Sequence, residues 1–126
     1  MANELTLVTS LAFAKSGTEL SFPDTAKQTL TVTVAGTKFL LNRQSIGTSW
    51  EAISLGDIST GGYCVMVNRD SVNYVLIKHG SAAGDDSLVR LNAGEVAVFR
   101  VSGSSTTPKA QANAAAVDLE YFLLAA

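Results

Sequence analysis

The sequence predicts an all-β fold, an antiparallel β-sandwich or jelly-roll-like barrel folded as a single domain over residues 1–126. Three observations predict it. Thr29, Thr31 and Thr33 alternate with Leu30, Val32 and Val34, the period of two that gives a strand one buried face. Short β-compatible runs follow one another closely, punctuated by Gly and Ser, enough for roughly eight to ten strands. No helical crossover of the length a parallel sheet requires lies between them.

Taken in order, residues 4–10 and 19–22 are β-compatible runs separated by the turn Ser16-Gly17-Thr18, and Pro23-Asp24 closes the second. Residues 28–34 form the clearest strand. Ala35-Gly36-Thr37 then leads into the apolar run 38–42, and a glycine able to take positive φ makes this a predicted hairpin. Residues 49–55 and 63–68, bracketed by Gly47, Gly56 and Gly61-Gly62, read as an irregular meander. Residues 72–78 are strand-like, and 79–87 form a polar loop. A second hairpin is predicted from 88–91 through Asn92-Ala93-Gly94 into 95–101.

Residues 102–107 are a Gly/Ser/Thr loop ending at Pro108. The alanine content of 110–116 would suit a short helix, but Lys109, Gln111 and Asn113 alternate with Ala110, Ala112 and Ala114, and strand is preferred. The final strand, 117–123, places Val117, Leu119, Tyr121 and Leu123 on one candidate core face and Asp118, Glu120 and Phe122 on the other.

Charged residues make up 16% of the chain, against about 25% in ordinary globular domains, so the surface is expected to be neutral and weakly hydrated. The formal net charge of -2 leaves no basic stripe for phosphate, and nucleic acid is not an expected partner. Lys and Arg occur singly and no apolar run approaches the ~20 residues of a membrane-spanning helix, so no membrane partner is expected either. Cys64 is the one cysteine and cannot form an intramolecular disulfide. With no basic, apolar leader in Met1-Ala2-Asn3-Glu4, folding in a reducing cytoplasm is expected.

Candidate chemistry is sparse. His79 with Asp85 and Asp86 offers an imidazole and two carboxylates to a divalent ion, but a Gly-flanked polar loop is ordinarily a solvated turn, which is the preferred reading. Cys64 beside Val65 and Met66 reads as a small buried hydrophobe with a raised pKa, not a nucleophile. Gly56, Gly61-Gly62 and Gly80 fit neither a Walker-type spacing nor a dinucleotide fingerprint and read as turns. Trp50, Tyr63, Tyr74 and Tyr121 could stack on a sugar, yet each lies in a predicted strand and core packing is preferred. Asn92-Ala93-Gly94-Glu95 is similar to the turn-plus-strand of cupin-type jelly rolls, but one histidine cannot build their metal cluster. No catalytic, cofactor or metal residue is assigned, and no enzyme activity is expected.

The stretch from Val67-Asn68-Arg69-Asp70 through Asn73-Tyr74-Val75 to Leu91-Asn92-Ala93-Gly94-Glu95-Val96-Ala97-Val98-Phe99-Arg100, then Lys109-Ala110-Gln111-Ala112 and Val117-Asp118-Leu119-Glu120-Tyr121, resembles small all-β virion proteins of tailed bacteriophages. The first half is similar only in character. The resemblance implies a structural protein located in the virion, a capsid decoration or cement protein that binds the major capsid protein or other virion proteins, with homo-oligomers expected. The alternative it leaves open is a neck, tail or fibre component, including a carbohydrate-binding module.

Overall fold

The computed structural model describes residues 5–22, 28–81, 84, 86–102 and 107–126. Every strand pair among them is antiparallel, no helix occurs, and the sheets do not close into a barrel. The sandwich alternative therefore holds and the barrel does not. Contacts gather in two compact units, one ending at Ala35 and the other spanning Gly36–Ala126.

The first unit is built from two ladders. Strand β1 (Leu5–Thr9) pairs with β4 (Gln28–Val32), and β2 (Leu11–Lys15) pairs with β3 (Thr18–Phe22). Between β2 and β3, Ser16 and Gly17 take φ of 51° and 81°. Two consecutive positive φ values make the two-residue hairpin turn whose twist matches that of its strands. Register places Leu11 opposite Phe22 and Phe13 opposite Leu20, so these four apolar side chains share one face. The predicted run 4–10 corresponds to β1 and 19–22 to β3, whereas β2 was not recognised. Pro23-Asp24 lies outside the described residues.

The second unit contains β5 (Phe39–Ile46), β6 (Glu51–Ala52), β7 (Gly61–Asn68), β8 (Val75–Lys78), β9 (Val89–Leu91), β10 (Val96–Arg100), β11 (Lys109–Ala112) and β12 (Val117–Ala125). They form two four-stranded sheets, ordered β10-β7-β12-β5 and β6-β11-β8-β9. Alternation sends Ile46, Cys64, Met66, Val117, Leu119, Tyr121 and Leu123 inward from the first sheet, and Val75, Ile77, Leu91, Ala110 and Ala112 inward from the second. With Ile53 and Ile58 they make one buried cluster, as expected of two sheets packed face to face. The face predicted for 117–123 is this core face, and Lys109–Ala112 is a strand as read from its period.

Both predicted hairpins are corrected by the pairing. Strand β4 pairs with β1, setting Leu30 against Leu7 and Val32 against Leu5, while β5 pairs with β12 over eight register positions from Ile46↔Val117 to Phe39↔Leu124. Likewise β9 pairs with β8 and β10 with β7, so the turn at Asn92 to Glu95 carries the chain from one sheet to the other. There the Glu95 amide donates to the Asn92 carbonyl at 3.0 Å with Gly94 at φ 79°, a type II turn. A glycine turn specifies a reversal, and the same reversal serves a hairpin or a corner. Gly61 and Gly62 are also corrected: they open β7, where a side chain on Gly61 would lie 3.3 Å from Val101 and Leu123, and one on Gly62 3.2 Å from the Leu124 carbonyl.

Candidate functional site

Residues that could carry chemistry are dispersed. Cys64 is 1% exposed, and burial pushes its thiol up to about 12, so it is protonated and inert at neutral pH. His79 is exposed at the end of β8, its Nδ1 2.9 Å from the Ser81 hydroxyl. Asp86 is exposed, Asp85 lies outside the described residues, and no cluster of three potential metal ligands occurs among those described. Among the described residues, buried Cys64 and exposed His79 do not form a nucleophile and base pair.

Polar groups that are buried have structural partners. The Asn68 amide donates to the carbonyls of Asn73 at 2.8 Å and Leu91 at 3.0 Å, and its oxygen accepts from the Asp70 amide at 2.9 Å. Asp70 in turn accepts from the amides of Asn73 and Val72, which hold its carboxyl below the usual carboxylate range. The loop after β7 is thus closed on itself. Tyr121 donates to the Ser54 carbonyl and accepts from Asn42 Nδ2 at 3.0 Å, while burial raises its pKa.

Of the four aromatics considered for sugar stacking, only Tyr121 is a fully buried core residue. Trp50, Tyr63 and Tyr74 are half-buried, and of these three only Tyr63 lies in a strand, since Trp50 and Tyr74 immediately precede β6 and β8. Each ring carries a cation over its face: Lys78 Nζ 4.3 Å from the Trp50 centroid, Arg90 3.8 Å from Tyr74, Arg100 5.6 Å from Tyr63. Lys78, 7% exposed, also donates to the Gly84 carbonyl. A cleft of about 220 Å³ lined by Ile77, Lys78, Leu88, Phe99, Val101 and Pro108 is smaller than the ~300 Å³ at which small-molecule sites begin.

The feature that stands out is a surface. On the first sheet of the sandwich, the outward positions of one half are apolar: Leu41, Phe122, Val65 and Val98 make a row across all four strands, with Phe39, Leu124 and Tyr63 alongside. Phe39 and Leu41 are each 68% exposed, and Phe39 stacks on Phe122 with ring centroids 6.2 Å apart. Arg100 faces outward opposite Tyr63, and beyond the row the face carries the pairs of Arg43 with Asp118 at 3.1 Å and Arg69 with Glu120 at 2.8 Å beside Val67 and exposed Val96. The outward row of the second sheet reads Gln111, Leu76, Arg90, an ordinary wet face.

The hairpin of the first unit carries the other such surface, with Leu11 66%, Phe13 48%, Leu20 66% and Phe22 69% exposed. Apolar patches of several hundred Å² are where proteins meet other molecules. Sequence reasoning missed both, although β7 advertised one of them: Tyr63, Val65 and Val67 interleave with Cys64 and Met66, and a strand apolar on both sides is one covered on both sides. No family model, curated protein or solved structure matches this chain.

Proposed function

We propose that this chain is a non-enzymatic structural protein of a bacteriophage particle, a capsid decoration protein that binds the outside of the major capsid shell and stabilises it. The apolar half-face centred on Leu41, Phe122, Val65 and Val98 carries this reading, because a folded sheet with one uncovered apolar face is built to join an assembly. The virion setting comes from the resemblance of residues 67–121 to small phage virion proteins. A ligand that binds only the assembled shell stabilises it by mass action, and many copies on one particle add their contacts. A sugar-binding role on a tail or fibre is less well supported, since the half-buried rings of Trp50, Tyr63 and Tyr74 already have a cation over one face.

Co-sedimentation with mature and expanded capsids tests the proposal. Saturable binding, with heat-induced DNA release shifted to higher temperature, is the expected result. Absence of binding to any shell, or binding without change in DNA release, would remove the decoration role.

A further inference from the structure

The first sheet of the sandwich ends on β10, and the backbone of that edge strand is unmatched. Two bonds flank the β10–β7 ladder, Asn68 amide to Glu95 carbonyl at 3.0 Å and Val101 amide to Gly62 carbonyl at 2.9 Å, and they set its alternation. Ala97 and Phe99 therefore exchange hydrogen bonds with Met66 and Cys64, while Val96, Val98 and Arg100 direct their N–H and C=O groups away from β7. Among the described residues, no backbone hydrogen bond from another element reaches those groups. Beside the same edge the two sheets part. The cleft of about 220 Å³ has Phe99 and Val101 on one wall and Ile77, Leu88 and Pro108 on the other, so it is mostly apolar. We infer that β10 accepts a further strand, an extended segment of another protein that is apolar at alternate positions and carries an acidic residue at the end beside Arg100.

Backbone, cleft and charge each specify part of that occupant. A row of alternating N–H and C=O groups is matched by extended backbone, which adds as a strand. At the usual spacing of about 4.8 Å, every second side chain of the added strand lies over the cleft. The remainder lie beside Val96 and Val98, which are 58% and 44% exposed. A cleft too small for a small-molecule ligand suits single side chains. Lys78, His79 and Arg100 are in its lining and no carboxylate is, which favours an acidic residue in the partner. Edges that are not to pair are normally short, charged or covered. Strands β6 and β9 have two and three residues. Strand β5 carries Arg43, and its inner side is closed where Gln44 bonds the Ala52 carbonyl at 3.0 Å and the Ser54 amide at 2.9 Å. From Val96 to Phe99, β10 has none of these devices. A second copy is the poorer occupant. Two β10 strands paired with each other would bring only Ala97 and Phe99, already packed on their own cores, and both clefts would stay unfilled.

This inference does not rest on the capsid reading. The probe is the synthetic peptide Asp-Thr-Val-Thr-Val-Thr-Val-Thr, blocked at both ends, whose acidic end meets Arg100 in antiparallel pairing. Anisotropy of the labelled peptide measures binding to the full chain, and amide hydrogen exchange by NMR locates it. In the free protein the Val98 and Arg100 amides are expected to exchange rapidly and those of Ala97 and Phe99 to be protected. Saturating peptide is expected to slow Val98 and Arg100 by about tenfold or more. The peptide N-methylated at alternate residues, on the side facing β10, keeps its side chains but loses those donors, and is expected to bind about tenfold more weakly or worse. Val98→Pro removes an outward N–H and leaves the β7 ladder its bonds, and Val98→Lys charges the edge; each is expected to weaken binding by about tenfold or more. Far-UV circular dichroism checks that both variants keep their fold. Val98 and Arg100 amides already protected in the free protein, no peptide binding, or equal binding of the N-methylated peptide would each overturn the inference. Protection of those amides that rises with protein concentration and no peptide would give the edge to a second copy and overturn it as well.

Discussion

The hairpin of β2 and β3 and the inner strand β12 share the two-residue period, and their apolar side chains meet opposite fates. In β12 the inward residues Val117, Leu119, Tyr121 and Leu123 are 0–1% exposed, whereas Leu11, Phe13, Leu20 and Phe22 on the hairpin are 48–69% exposed. The hairpin ladder is if anything the more regular, with five consecutive register pairs between β2 and β3, whereas the β12–β7 register shifts between Leu123 and Ala125. Alternation therefore decides which side chains share a face. A second layer decides whether that face is dry, and among the described residues none covers the hairpin face.

The comparison can be broken most sharply by removing the same side chain from each region. Leu119→Ala leaves a cavity between two sheets and is expected to cost about 2–5 kcal/mol, while Leu20→Ala on monomeric protein is expected to stay within about 0.5 kcal/mol. Urea unfolding measures both, and equal losses would refute the contrast.

Thiol chemistry sharpens it next. Because burial raises the Cys64 pKa from 9.0 to about 12 in the folded protein, the protonated thiol favours the fold fully below about pH 9. That contribution is lost as pH rises toward about 12. Native protein at pH 8 is expected to react with a disulfide reagent only on unfolding. Ala12→Cys placed in a Cys64→Ala background, at an exposed hairpin position, is expected to react at once. Immediate labelling of native Cys64 would contradict its burial.

Smaller effects probe the turns. Gly94 and Gly17 hold φ of 79° and 81° with no atom within 4 Å of where a Cβ would sit, so alanine meets backbone strain alone. About 1 kcal/mol is expected for Gly94→Ala in thermal unfolding. For Gly17→Ala the loss is expected in proteolytic nicking of the hairpin, leaving the melting of the sandwich unchanged. The smallest effect is expected at the exposed pair of Arg43 and Asp118, where a double-mutant cycle should return less than about 1 kcal/mol and shrink further in salt.

The same distinction explains what could be read in advance. Residues 28–34 and 117–123 were legible as strands, and Ser16-Gly17 as a turn, because periodicity and positive φ are local properties. Strand β2 was not, since Ala12 and Ala14, alternating with Leu11 and Phe13, blur the polar half of the pattern. Pairing was not legible either. Partners such as Asn42 and Tyr121 are set by matching faces across the chain, and the nearest glycine turn says nothing about them. Within the candidate chemistry, the burial of Cys64 was visible in its apolar neighbours. The cations over Trp50, Tyr63 and Tyr74 were not, because Lys78, Arg90 and Arg100 reach those rings only through the fold.

One feature of the sheet order bears on how the protein is made. Strand β12 follows the other eleven in the chain, yet it lies inside the sheet, between β7 and β5. Until β12 is in place, β5 has no partner in its sheet and β7 is paired on one side only. A folding chain must keep these edges apart from other chains until β12 pairs with both. Closing the first sheet therefore waits on β12, and a chain cut a few residues into β12 is left with an open sheet, not merely a shorter one.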